Sequence, residues 1–255
     1  MRSSKLRERW QKGEPVICAW LSIGNAYTAE LAGWSGVDCV TADLQHGMTD
    51  TSTMIAMLQA ISSTPATPVV RVPDSNAAVL MKALDAGAYG LICPMIGSVE
   101  HAREFVAATR YPPHGARSFG PARGLLYGGA DYFEHADDTL VRLAMIETRA
   151  GLDALEGICA VEGLDGIFVG PADLSLALGK TPEIDPADIE VRAAIDRCLS
   201  AARRTGKHAG IFCPSGAVAA RRVHEGFDFV VINSDANLLK AAFANELRAA
   251  REPPR

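Results

Sequence analysis

The segment LVRLAMIETRAGLDALEGICAVEGLDGIFVG, residues 140–170, contains the repeating unit from which the fold can be predicted. It begins and ends with runs in which nearly every residue is apolar, 140–147 and 164–170. Such runs are typical of strands in a parallel sheet that is covered on both faces. Gly163, just before the second run, marks a common type of helix end. The segment therefore predicts a strand–helix–strand unit.

The same alternation extends along the chain. The remaining strands are predicted at 15–22, 37–43, 67–72, 88–94, 208–213 and 227–233. Helical patterns cover 27–34, 51–62, 75–86, 98–109 and 187–205, and three further glycines mark helix ends at Gly36, Gly87 and Gly206. Eight strands alternating with helices over 255 residues predict an α/β fold, a (β/α)8 TIM barrel, as a single domain spanning 1–255. A doubly wound sheet is the alternative, although no G-x-G-x-x-G motif follows the first strand.

The composition excludes several classes of protein. Of the residues, 48% are hydrophobic and 22% are charged, which rules out disorder as the main state. The net charge of −5 argues against a nucleic-acid partner, and no apolar run approaches the length of a membrane span. The N-terminal segment lacks the apolar stretch of a signal peptide, so we expect a cytoplasmic protein. The six cysteines form no C-x-x-C pair and are expected to be buried thiols, not disulfides or a zinc site.

Polar residues at the carboxyl ends of the strands are the candidates for an active site, because barrel enzymes build their sites there. Glu147 and Asp173 follow the fifth and sixth predicted strands, and neighbouring strands lie about 4.8 Å apart. Two carboxylates this close repel each other unless a proton or a cation lies between them. Oxygen ligands favour a divalent ion such as Mg²⁺ or Mn²⁺, with coordination positions left for substrate. The alternative for Asp173 is a cap on the helix that begins near Leu174.

Two more candidates lie at the same ends. His46 follows Asp43 by three residues, and a carboxylate can orient an imidazole and raise its basicity. A loop histidine bonded to backbone is the alternative. Arg71 interrupts an otherwise apolar strand, and burying a guanidinium is costly without an anionic partner. That partner is a carboxylate either of the protein or of a ligand.

The positions of the lysines help to distinguish a Schiff-base mechanism from a metal-dependent one. A barrel enzyme that forms a Schiff base needs a lysine on a strand, usually in its C-terminal half. The lysines here fall in the N-terminal segment, in helical patterns, in a loop or just before the seventh strand: Lys5, Lys12, Lys82, Lys180, Lys207 and Lys240. If this barrel activates a carbonyl, a metal ion is therefore the expected electrophile.

Two segments fall outside the repeating pattern. Residues 111–135 are rich in glycine, proline and aromatic residues, and they are long enough for a lid or an interface loop. Residues 235–250 form a strongly helical tail with an apolar stripe made of Leu238, Leu239, Ala242, Phe243 and Leu247. The stripe packs either against the first and seventh helices of its own barrel or against a neighbouring subunit.

Six motifs, in their order and spacing, resemble the HpcH/HpaI aldolase family from about residue 15 to residue 240. They are VTADLQHG (40–47), VVRVP (69–73), DAGAYGLICPM (85–95), RYPPHGARSFGPARG (110–124), MIET (145–148) and IFVGPADLS (167–175). The resemblance implies a metal-dependent class II pyruvate aldolase on a (β/α)8 barrel. Such enzymes reversibly cleave 4-hydroxy-2-oxo acids, including 2-keto-3-deoxy sugar acids, to pyruvate and an aldehyde. It also implies a homo-oligomer, a hexamer or a trimer, in which the C-terminal helix packs on a neighbour.

The resemblance further implies roles for matching residues. Glu147 and Asp173 would bind a divalent metal (Mg²⁺, Mn²⁺ or Co²⁺) that chelates the carboxylate and keto oxygens of pyruvate. His46 would be the base, with Asp43 beside it. Arg71 would stabilise the oxygen of the enolate that forms as the carbon–carbon bond breaks.

Substrate contacts and a shared site are implied as well. Gly170, Pro171 and Ala172 would line the pyruvate carboxylate beside Asp173, with the Ala172 N–H as a donor. Asp85 matches a position that reaches a neighbouring active site and supports the basicity of the histidine there.

Two departures from the family pattern concern the aldehyde half of the reaction. Met145 stands where the family often has a glutamine that contacts substrate, so the pocket loses a polar contact. Gln45 stands where many members have glutamate, which removes a negative charge near the metal. One alternative is a related acyl-CoA lyase of the citrate-lyase β type, with cations from Arg110, Arg117 and Arg123. The other is a decarboxylase-like barrel that binds oxaloacetate or pyruvate.

Overall fold

Eight parallel strands close into a barrel in the computed structural model, which describes residues 1–252. The strands are β1 (Val16–Leu21), β2 (Cys39–Asp43), β3 (Thr67–Arg71), β4 (Gly90–Cys93), β5 (Val141–Ile146), β6 (Gly166–Val169), β7 (His208–Phe212) and β8 (Phe229–Ser234). Each strand pairs with the next, and β8 pairs with β1. This closure confirms the predicted (β/α)8 barrel and excludes the doubly wound sheet, which has two open edges. The last residues of the predicted domain, 253–255, lie outside the described residues.

Helices alternate with the strands, and the helical segments predicted at 27–34, 51–62, 75–86, 98–109, 187–205 and 235–250 are confirmed to within two residues. They are α1 (Lys5–Gln11), α2 (Ala26–Trp34), α3 (Thr51–Ser62), α4 (Ala77–Asp85), α5 (Val99–Thr109), α6 (Ala122–Gly128), α7 (Tyr132–Thr139), α8 (Arg149–Asp153), α9 (Leu155–Cys159), α10 (Pro171–Ala177), α11 (Ile189–Arg204), α12 (Gly216–Glu225) and α13 (Asp235–Arg251). Asp50 and Ser98 cap α3 and α5 by accepting backbone N–H groups of the first turn. Gly36 and Gly87, just past α2 and α4, have φ of 94° and 101°, which glycine adopts without steric cost.

The core has two layers. One lies between the strands and the outer helices, and the other fills the barrel with side chains such as Val69, Ile92 and Phe168. Helix α1 closes the amino end of the barrel, where the Trp10 ring stacks on His208 with centroids 3.6 Å apart. The carboxyl ends of the strands are therefore the open face, as the fold predicts for an active site.

The two segments outside the pattern are both resolved into helices. Residues 111–135 contain α6 and the start of α7, and they expose Phe119, Leu126 and Phe133. The tail forms α13, in which no residue is buried, so its apolar stripe does not pack on its own barrel. Within the described residues, the alternative in which this stripe covers the first and seventh helices of its own barrel is therefore excluded.

The six cysteines are free and buried, as the sequence predicts. Within residues 1–252, no helix combines the length and apolar character needed to cross a membrane.

Candidate active site

A cavity of about 220 Å³ opens at the carboxyl ends of the strands. Seven residues predicted to form the site line it: Asp43, His46, Arg71, Gly170, Pro171, Ala172 and Asp173. They come from β2, β3 and the turn after β6, segments far apart in the chain. Barrel closure alone brings them together.

Asp43 and Arg71 form a buried ion pair at one wall of the cavity. They end β2 and β3 and are register partners. The Asp43 carboxylate accepts hydrogen bonds from Arg71 Nε at 2.8 Å and Nη2 at 2.5 Å, and from Trp20 Nε1 at 3.2 Å. Burial alone would raise the pKa of Asp43, but the Arg71 bonds hold it below its ordinary value. The arginine therefore has a carboxylate of the protein as a partner of two of its nitrogens.

His46 lies on the exposed side of the cavity. Its backbone N–H donates to Asp43 Oδ1 at 3.3 Å, and the Gln45 N–H donates to the same oxygen at 3.0 Å. The Asp43 carboxylate thus shapes the turn that carries His46, while its side-chain partners are Arg71 and Trp20. The hypothesis that Asp43 orients the imidazole is corrected accordingly, because the bidentate arginine already occupies the carboxylate.

Glu147 is a buried carboxylate at the end of β5, only 2% exposed. Its Oε1 accepts the backbone N–H of Met95 at 2.9 Å. No arginine, lysine or histidine within residues 1–252 forms an ion pair with it. Burial raises the pKa of Glu147 to about 7, and the nearby charge of Asp173 acts in the same direction. The charge of Arg71 lowers this pKa in part, but Arg71 forms its ion pair with Asp43, so no cationic group within residues 1–252 is bound to Glu147.

Asp173 lies near Glu147, in the helix that follows the next strand. Ile146 and Val169 are register partners, which confirms that β5 and β6 are neighbours. Helix α10 begins at Pro171 with Gly170 as its N-cap, so Asp173 lies in the first turn and does not cap the helix. A Cβ on Gly170 would lie 2.5 Å from Glu147 Oε2. Glycine at this position therefore lets α10 come close to the glutamate.

Asp85 lies away from this cavity. It is the last residue of α4, five residues before β4 begins, and so it belongs to the amino end of the barrel. Its Oδ1 accepts a hydrogen bond from Arg117 Nη2 at 2.8 Å. Arg117 is buried and also donates to the Tyr132 hydroxyl at 3.1 Å. Any contact of Asp85 with an active site involves a different copy of the chain.

The apolar wall of the cavity is the part that sequence reasoning missed. Trp20, Phe212 and Ile184 line it together with Met145, which was predicted to border the pocket. Trp20 and Phe212 lie at the carboxyl ends of β1 and β7, and that position could have identified them. Ile184 comes from the loop between α10 and α11, where no periodic pattern signals its position.

Comparisons with known proteins point to one family. The family model for HpcH/HpaI aldolase/citrate lyase matches residues 17–242. A hydroxypyruvate/pyruvate aldolase of Rhizorhabdus wittichii is 41% identical over 248 residues, which cover 97% of this chain and 99% of that protein. A 4-hydroxy-2-oxo-heptane-1,7-dioate aldolase of Salmonella dublin is 38% identical, covering 96% of this chain and 93% of that protein.

A comparison with solved structures indicates the same family. The crystal structure of an HpcH/HpaI aldolase/citrate lyase family protein from Burkholderia cenocepacia matches with a TM-score of 0.92 and 32% identity. The match covers 98% of this chain and 100% of that chain. The chain therefore belongs to the HpcH/HpaI aldolase/citrate lyase family.

Proposed function

We propose that this protein is a class II pyruvate aldolase that reversibly cleaves 4-hydroxy-2-oxo acids to pyruvate and an aldehyde. One observation carries the proposal: the buried Glu147, which has no ion-pair partner within residues 1–252, lies near Asp173, and Asp173 lines the cavity together with Arg71 and His46. The names of the relatives, all carbon–carbon lyases, support the same reaction class.

The residues present fit a divalent metal ion. Glu147 and Asp173 provide hard oxygen ligands, and a dication supplies the positive charge that the buried Glu147 lacks. Within residues 1–252 no group of three or more histidine, cysteine or acidic side chains forms a metal cluster, so the protein would contribute two ligands. Mg²⁺, Mn²⁺ or Co²⁺ suits such a set. When bound, the ion supplies Lewis-acid polarisation of the substrate's keto oxygen.

The chain's own residues account for the remaining steps. Asp43 occupies Nε and Nη2 of Arg71, so Nη1 is the nitrogen left to donate to the oxygen that becomes negative in the enolate. His46 accepts the proton of the C4 hydroxyl as the C3–C4 bond breaks. The Ala172 N–H, in the unsatisfied first turn of α10, donates to the pyruvate carboxylate, and Gly170 and Pro171 line that carboxylate without donating to it.

The names of the relatives and the residues of the cavity wall indicate which compounds serve as the aldol donor and the aldehyde acceptor. The names of the relatives indicate pyruvate and hydroxypyruvate as donors. Met145, Ile184 and Phe212 make the acceptor side apolar, and we propose that it accepts a broad range of uncharged aldehydes. The substrates are small molecules, and no part of the proposal requires a nucleic acid or a membrane.

The three arginines that an acyl-CoA lyase would need to bind CoA contact other groups of the protein in the structure. Arg117 is buried against Asp85, Arg110 Nε donates to Asp137 at 3.1 Å, and Arg123 donates to Ala86 O at 2.7 Å. None of the three arginines is among the residues that line the cavity. They are committed to the protein's own packing and are not free to bind CoA phosphates.

We also propose a homo-oligomer, a hexamer or a trimer, that works in the cytoplasm as a single-domain protomer. The tail exposes Leu238, Leu239 and Phe243, at 50%, 49% and 69% of their surfaces. Helix α2 carries a second exposed apolar stripe, Tyr27, Leu31 and Trp34, spaced on one helix face. Two unpartnered stripes on one protomer suit reciprocal packing, α13 of one copy on α2 of another. In such an assembly Asp85 would have the role that the family resemblance implies, at a neighbouring active site.

A coupled assay tests the function. Pyruvate released from 4-hydroxy-2-oxo acids is followed with lactate dehydrogenase, and the condensation direction is screened over metals and aldehydes. Activity should vanish with EDTA and return with divalent metal. Borohydride with pyruvate should trap no covalent adduct, since no lysine within residues 1–252 lines the cavity. A reduced pyruvyl-lysine peptide would overturn the class II assignment.

A further inference from the structure

We propose that Met95 is a positioning residue for Glu147: its left-handed backbone aims its N–H at one carboxylate oxygen and leaves the other oxygen for a cation. The inference rests on the proposed function, because it concerns the same metal site. It assigns a role to a residue that is not among those that line the cavity.

The backbone of Met95 is unusual for its residue type. Its φ is 57°, and within residues 1–252 only one other non-glycine residue, Asn233, has positive φ. Left-handed backbone is unfavourable for L side chains, and such residues concentrate at functional sites. The Met95 side chain is 51% exposed, so side-chain packing does not explain the conformation. What the conformation provides is the hydrogen bond from the Met95 N–H to Glu147 Oε1 at 2.9 Å.

The turn chemistry links the φ angle to the direction of this N–H. Pro94 and Met95 form the turn that leaves β4. Proline at the second position and positive φ at the third are the pattern of a type II turn. Type I and type II turns differ by a flip of the peptide between these two positions. In the flipped state the Pro94 carbonyl oxygen, and not the Met95 N–H, would face the buried Glu147 carboxylate. Positive φ at Met95 is therefore the condition for the hydrogen bond.

Because of this hydrogen bond, the two oxygens of the Glu147 carboxylate have different roles. Oε1 is held by Met95, whereas Oε2 faces Gly170 and the first turn of α10, where Asp173 lies. An outer hydrogen bond of this kind orients a metal ligand and strengthens metal binding. Loss of the Met95 conformation should therefore weaken the metal site without removing either ligand.

The experiment measures Mn²⁺ binding to the metal-free full-length protein by isothermal titration calorimetry. Met95→Val and Met95→Thr place β-branched side chains where positive φ is strongly disfavoured. Met95→Leu removes the thioether but stays unbranched, and Met95→Asn and Met95→Gly accept positive φ readily. Melting curves of the metal-free variants report folding separately.

We expect Met95→Val and Met95→Thr to bind Mn²⁺ roughly 10–100-fold more weakly than wild type, the usual effect of losing an outer hydrogen bond to a ligand. Met95→Leu, Met95→Asn and Met95→Gly should bind like wild type. If folded Met95→Val and Met95→Thr bind as tightly as Met95→Leu, the positioning role is wrong while the metal site stands. If wild type itself binds no Mn²⁺, the proposed metal site fails and this inference fails with it.

Discussion

Asp43 holds Arg71 through two hydrogen bonds, 2.8 Å to Nε and 2.5 Å to Nη2, and so fixes the plane of the guanidinium at the cavity wall. The Arg71 guanidinium also lies 4.8 Å from the centroid of the Trp20 ring, whose Nε1 donates to the same carboxylate. The arginine is thus held from two sides, and Nη1 is the guanidinium nitrogen that has no hydrogen-bond partner within residues 1–252. Electrostatic catalysis depends on donors that are already oriented before charge develops.

Replacing Arg71 should abolish both cleavage and exchange of the pyruvate C3 protons, because both pass through the enolate. We expect Arg71→Ala to lose about 10²–10³-fold in kcat, the effect of removing one such donor. NMR of pyruvate in D₂O measures the exchange. Arg71→Lys should rescue little, since an ammonium cannot reproduce the two-point contact with Asp43.

The control addresses the buried Asp43, which Arg71→Ala leaves without its partner. A double variant, Asp43→Asn with Arg71→Met, removes both charges and should fold, as circular dichroism would verify. Normal proton exchange in either folded variant would show that the arginine is only a structural partner of Asp43.

Glu147 should make the stability of the metal-free protein depend on pH. Its pKa is raised from 4.5 to about 7 in the folded state, so the folded protein binds this proton more tightly than the unfolded chain does. The free energy of unfolding of the metal-free protein therefore falls as pH rises from about 4.5 to about 7, by about 3 kcal/mol in total. Glu147→Gln, which cannot ionise, should match wild type near pH 4.5 and exceed it at pH 8 when EDTA is present.

Urea unfolding at several pH values measures this difference. Adding Mn²⁺ at pH 8 should stabilise wild type and leave Glu147→Gln nearly unchanged, because only the carboxylate gains from the ion. Parallel stability profiles for the two proteins would contradict the assignment of Glu147 as a buried, uncompensated carboxylate.

Asp85 and His46 should complement each other across subunits. Asp85→Asn and His46→Asn are each expected to be nearly inactive as pure oligomers. After mixing, dissociation and reassembly, sites that combine His46 of one copy with Asp85 of another should recover activity. Recovery is measured against unmixed samples taken through the same procedure. If the mixture stays inactive although hybrids form, Asp85 does not serve a neighbouring site.

The exposed stripes of α13 and α2 should hold the oligomer together. A charge in either stripe, Phe243→Asp or Trp34→Asp, is expected to shift the protein toward smaller species in sedimentation velocity at micromolar concentration. Ala244→Asp, an exposed position on the opposite face of the same helix, introduces the same charge and is the matched control. A fully active wild-type monomer near 27.0 kDa would refute both the interface and the shared role of Asp85.

Much of the fold was predictable because the positions of its strands and helices depend on local sequence patterns. Apolar runs of strand length, amphipathic segments and the glycines after them depend on neighbours in sequence, and they placed all eight strands correctly. The rule that barrel sites lie at carboxyl strand ends then led to Asp43, Arg71, Glu147 and Asp173. The motif resemblance assigned their roles, which remain predictions.

Only the tertiary structure decided which of these groups touch. Asp43 meets Arg71, 28 residues away, because β2 and β3 pair in that register. The Met95 N–H reaches Glu147, 52 residues away, through a turn whose backbone angle has no signal in residue type. The tail stripe carries the same apolar pattern whether it covers its own barrel or another copy, and only the folded protomer shows it exposed. A periodic sequence specifies that a face is apolar, whereas the closed barrel determines what that face can reach.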